Sequence, residues 1–131
     1  MFNAASHFLR FRLPAILWAL FIFIASSIPE KSLPRFVRHI SDKVIHGAVF
    51  FIFGLLVYRA LEPREKAEKP DWKRLLVSVA AVIAYGISDE VHQAFVPGRT
   101  VDIFDASADA VGGILAALVI YLAARRKNAA C

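Results

Sequence analysis

The sequence predicts an all-α, polytopic membrane protein of four transmembrane helices, with an apolar re-folding loop between the third and fourth. Three observations carry that prediction. The 131-residue chain is 58% hydrophobic with a mean hydropathy of +0.55, above the roughly half-apolar make-up of a soluble domain. The apolar residues gather into four blocks, 13–29, 44–58, 75–88 and 110–124, free of Lys, Arg, Asp and Glu. Basic residues occupy the short flanks of those blocks, as in membrane topogenesis. The formal charge of +5 and pI near 9.7 therefore do not describe a nucleic-acid binder, whose cations would share one face.

The first block follows Arg10 and Arg12 and ends in Ala25-Ser26-Ser27. It resembles a signal peptide, but the run exceeds a usual signal core, so an uncleaved helix over about 11–29 is expected. The other three blocks are shorter than the roughly 20 residues that span a bilayer at about 1.5 Å rise each. They cross only by drawing polar flanks into the membrane boundary, giving helices over about 43–61, 73–93 and 105–124. All belong to a single domain, 1–131, with a charged cytoplasmic loop over 62–74. Trp72 and Trp18 are read as interfacial anchors.

Lys and Arg number eleven on one side and five on the other. The positive-inside rule places both termini and the 62–74 loop in the cytoplasm. The lone cysteine, Cys131, excludes an intrachain disulfide.

Three polar stretches then face outward: Ser41-Asp42-Lys43-Val44-Ile45-His46, Ser88-Asp89-Glu90-Val91-His92-Gln93, and the run from Pro97 through Arg99 and Asp102 to Asp105. Ionisable groups at membrane depth are read first as functional. Residues four apart on a helix differ by about 40° around the axis. That pairs Asp42 with His46, Asp89 with Gln93, and Asp105 with Asp109. Gly112 and Gly113 follow on the same flank, where small residues let a neighbouring helix approach. The result is an outward polar pocket lined by three helices.

Pro97-Gly98 suits a type II turn, with Gly98 at positive φ. The apolar connection 94–104 is expected to fold back as a lid carrying Arg99 over the carboxylates. Two alternatives stay open at this stage. Asp42 and Asp105 are also natural first-turn acids on the helix dipole, and Arg99 could simply pair with Asp89 or Glu90. His92 reads as an interfacial histidine.

These pieces resemble the VanZ-like family of small bacterial membrane proteins. Asp42-Lys43-x-x-His46 carries the resemblance, with Asp89-Glu90-x-x-Gln93-x-Phe95-x-Pro97-Gly98-Arg99 and its continuation through Asp102, Asp105, Ala108-Asp109 and Gly112. The match covers residues 40–120. Asp109 stands where the family usually has Asn, adding an ionisable group, and Gly47 stands where Phe is common, a change expected to be neutral. The family is named for a protein conferring low-level teicoplanin resistance. The resemblance implies a role in the cell envelope; it does not transfer resistance to this chain.

Three functions compete. The first is binding or handling of a polar envelope ligand, a lipid head group or cell-wall precursor, by Lys43, His46, Asp89, Glu90, Gln93, Arg99, Asp102, Asp105 and Asp109. Arg99 and Lys43 would hold its anionic group. The second is a membrane-embedded hydrolase or transferase, with candidates His46 as base, Asp42 as its orienter and Asp89 or Glu90 as acid. The third is a small proton-coupled transporter, ranked last because no inverted repeat is evident. The histidine spacing matches no zinc motif, so no metal ligand and no cofactor is expected. The bilayer is the expected partner, and nucleic acid is not.

Overall fold

A computed structural model describes residues 4–34, 36, 41–63 and 71–129, the side chains of 127–129 excepted. Arg35, Arg38, Arg64, Lys66, Lys69 and Cys131, which entered the charge count and the thiol argument, lie outside the described residues, as does the Lys127 side chain. Every regular element among the described residues is helical. Four helices are long and apolar enough to cross a membrane: α1 (Ala4–Ser26), α2 (Asp42–Ala60), α3 (Trp72–Gln93) and α4 (Ile103–Ala129). A single 3₁₀ turn, Glu30–Ser32, lies between α1 and α2.

Helix ends follow local chemistry. The first helix starts earlier than the apolar block and contains a π-helical turn, Phe8–Arg12, in which Leu13 N–H reaches back to Phe8 O. Pro14 lacks the N–H that would bond Arg10 O, and a widened turn relieves the ring's clash with the preceding turn. α1 stops at Ser26, short of the expected position 29, because Pro29 disfavours helical geometry at Ile28. Asp71 caps α3 by accepting from Lys73 N at 2.9 Å. α4 begins at Ile103 because Asp102 is its cap: Oδ1 accepts from Phe104 N at 2.8 Å. It runs on past the expected position 124, since Ala and Arg are strong helix formers.

α4 packs most closely on α2, then on α3, and α1 lies against α2 and α3. Glycine sets the first contact. A methyl group on Gly112 would overlap the Gly47 carbonyl oxygen, and one on Gly113 would sit 2.7 Å from a Val82 methyl. Ile22, Phe50, Phe53 and Val82 form the buried apolar core, with Trp18 and Tyr85 packed against it. Both polar tips bond backbone across helices: Trp18 Nε1 donates to Val49 O at 3.0 Å and Tyr85 Oη to Ala19 O at 2.6 Å. Trp18 is thus an inter-helix pin, its half-buried indole N–H having a protein acceptor. Trp72, at the start of α3, is exposed.

Alternation up and down brings the end of α1, the start of α2, the end of α3 and the start of α4 to one end of the bundle. Ser27 Oγ donates to Phe23 O at 2.6 Å and lies 2.9 Å from His92 Nε2. The hydroxyl has one proton, so His92 Nε2 is the donor. The His92 ring also stacks on Phe23, centroids 4.4 Å apart. His92 therefore fastens α3 to α1, a role that its expected interfacial placement did not include.

Candidate functional site

Turn chemistry positions the connection between α3 and α4. Gly98 has φ +80°, and Arg99 N–H bonds Val96 O at 3.1 Å, which makes 96–99 a type II turn with glycine where L side chains are strained. The loop returns to the bundle through Val96 and its polar groups. Asp102 N–H donates to Glu90 Oε2 at 3.0 Å, and Arg99 Nε to Ile28 O at 3.1 Å. Its other apolar side chains do not cover the site as a lid: Phe95, Val101, Ile103 and Phe104 are among the most exposed hydrophobics. They project from this end of the bundle, while Val96, the Arg99 side chain and the Glu90–Asp102 bond hold the loop's path.

The helix starts of α2 and α4 interlock by charge. Lys43 Nζ lies 2.5 Å from Asp102 Oδ2 and 2.5 Å from Asp105 Oδ1. The ammonium, together with the Phe104 N–H, holds the Asp102 carboxyl below the usual carboxylate range. One turn deeper, His46 Nδ1 lies 2.9 Å from Asp109 Oδ1. The expected pairing of His46 with Asp42 is looser, Nε2 to Oδ1 at 3.9 Å, beyond hydrogen-bonding range. Asp109, not Asp42, therefore orients the imidazole, because α4 comes close enough at Gly112 to place it there. On α3, Gln93 Nε2 donates to Asp89 Oδ2 at 2.9 Å, both residues buried.

A cavity of about 160 Å³ opens beside this cluster. Asp42, His46, Asp89, Gln93 and Arg99 form its polar wall, and Phe21, Ile22, Val49 and Phe50 its apolar one. The sequence suggested three helices around the pocket; α1 supplies a wall as well. Phe21 and Ile22 carried no signal in the sequence that separated them from other lipid-facing residues. Of the expected site residues, Glu90, Asp102, Asp105, Asp109 and Lys43 lie behind the cavity rather than on its wall. Arg99 makes no ion pair with Asp89 or Glu90 among the described residues, so the structural pairing considered for it is absent.

The sequence model of VanZ/LLP1 matches residues 10–124. The chain belongs to the VanZ/LLP1 family. It is also similar to an uncharacterised protein of Schizosaccharomyces pombe, 35% identical over 89 residues, which are 67% of this chain and 51% of that protein. The chain thus spans about half the length of the curated relative it matches. No solved structure matches it. Family membership extends the match beyond 40–120 to include α1, the helix that contributes the cavity's apolar wall.

Proposed function

We propose that this VanZ/LLP1 protein binds the anionic head of an amphipathic envelope ligand in the cavity, with Arg99 as the principal contact. One observation carries the reading. Among the described residues, Arg99 is the one lysine or arginine on the cavity wall, and only its Nε is engaged, by a backbone carbonyl. The planar end of a guanidinium left without a carboxylate suits bidentate contact to phosphate or carboxylate. The apolar wall supplied by α1 and α2 suits the hydrocarbon that adjoins such a head group in a lipid. A similar stretch in a fission yeast favours a lipid head group over a cell-wall precursor, since phospholipid is common to both kinds of membrane. In this reading the cavity end faces outward across a bacterial inner membrane with both termini cytoplasmic, and any link to glycopeptide tolerance would follow from handling a lipid-linked precursor.

Lipid mass spectrometry on the protein purified in mild detergent tests it. An anionic lipid class should copurify with the wild type and be depleted at least about tenfold in Arg99→Gln, the loss expected when one charge-assisted pair worth about 1.5–3 kcal/mol is removed. Arg99→Lys should recover part of the binding. Equal lipid content in wild type and Arg99→Gln would remove the reading.

A second reading has its own support. His46 is held through Nδ1 by a buried carboxylate while its ring borders the cavity, the arrangement of a general base and its orienter. No serine or cysteine bonds His46 among the described residues, so water would be the nucleophile of a hydrolase on this plan.

A further inference from the structure

His46 of α2, Glu90 of α3 and Asp109 of α4 converge behind the cavity. Each offers one ligand atom, and these atoms all lie within 4.8 Å of one another. We propose that the three form a site for one divalent transition-metal ion of the Zn²⁺ or Mn²⁺ class.

Geometry is the first argument. Three atoms up to 4.8 Å apart lie at most about 2.8 Å from a common centre, so reaching metal–ligand bonds of about 2.1 Å takes shifts of at most about 0.7 Å per ligand. Burial is the second. Glu90 and Asp109 are 4% and 0% exposed, yet among the described residues Glu90 Oε1 and Asp109 Oδ2 have no hydrogen-bond partner. A buried carboxylate oxygen without a partner is costly, more so in a bundle surrounded by lipid. Charge is the third. Lys43 is already committed to Asp102 and Asp105, and Arg99 makes no ion pair with Glu90 or Asp109. Among the described residues, the His46 imidazole is the only cationic partner within reach of the pair. A single divalent ion neutralises both carboxylates at once.

Space is the fourth argument. The Asp109 carboxylate sits against Gly86, where Oδ2 would be 3.0 Å from an added methyl group. α3 thus has a glycine where the carboxylate enters. The donor set, one imidazole nitrogen and two carboxylates, selects borderline transition metals over Mg²⁺ and Ca²⁺, which prefer all-oxygen shells. Binding requires an unprotonated ring nitrogen and two ionised carboxylates, so uptake releases protons. A competing trio, Asp42, His46 and Asp105, is weaker on these grounds: Asp42 is exposed and Asp105 is neutralised by Lys43.

The test uses the full chain in a neutral maltoside detergent, with Cys131→Ser to remove the lone thiol as a ligand. After chelator treatment it is dialysed against Zn²⁺ or Mn²⁺, and bound metal is measured by plasma mass spectrometry and by titration. About one ion per chain is expected, not displaced by equimolar Mg²⁺. Glu90→Gln and Asp109→Asn, both near-isosteric and so compatible with the packing, should each weaken binding roughly tenfold or more; size-exclusion profiles confirm that they remain folded. Metal at background in the wild type overturns the proposal. So does wild-type affinity in both variants, or a loss on Asp42→Asn with Glu90→Gln silent, which moves the ion to the outer trio. Because metal is assayed without any anionic lipid, failure here leaves the Arg99 reading standing.

Discussion

Gly112→Ala is expected to pry α4 from α2 and to disturb everything at the cavity end of the bundle that depends on their approach. The added Cβ would overlap Gly47 O and lie 2.8 Å from Phe51 N. Both neighbours are backbone atoms in a helix, so no side chain can rotate away. Reaching the 3.4 Å at which ordinary contact begins requires the helices to part by roughly 0.6 Å from Phe51, and further from Gly47, in an interior packed like a crystal. Overpacking of this kind costs about 1–3 kcal/mol. Gly47 is the control, although it faces Gly112. A methyl group on Gly47 would meet only Ala108 O, at 3.6 Å, so Gly47→Ala should stay within about 0.5 kcal/mol of wild type. Unfolding of the purified protein by denaturing detergent titrated into mild detergent reads the difference. Equal stability of the two variants, or a greater loss for Gly47→Ala, would refute the packing argument and with it the claim that α4 is held at backbone contact.

The remaining predictions address the loop and the orientation. Gly98→Val should destabilise the chain by about 1–3 kcal/mol, the cost of a side chain forced to positive φ, while Thr100→Val, at an exposed extended position, should be tolerated; equal tolerance in the same detergent titration would show that the turn does not constrain the loop. Reporter fusions after Phe95 should read extracytoplasmic and those after Ala129 cytoplasmic. The reverse pattern would place the cavity on the inner face and exclude an outward-facing envelope ligand.

The four-helix membrane class was legible in the sequence because it rests on linear quantities: runs of apolar residues, their lengths and their charged flanks. The turn at Gly98 was legible for the same reason, since Pro-Gly dictates backbone dihedrals locally. Helix periodicity also placed Asp89 beside Gln93 correctly, both being on one helix. It likewise set Asp42 on the face of His46, 3.9 Å away, but spacing within one helix could not supply the closer, hydrogen-bonded partner. The actual partner, Asp109, is 63 positions distant and meets His46 only because Gly112 lets α4 reach the α2 backbone. The bond of Trp18 to the Val49 carbonyl was beyond sequence for a similar reason: its acceptor lies on another helix, 31 positions away. Sequence therefore determined which residues are polar at membrane depth and that they gather at one end. Which carboxylate meets the histidine, which arginine reaches the cavity wall and which carboxylate oxygens lack a partner among the described residues were decided by helix contacts between distant positions, where close packing at glycine sets the distances.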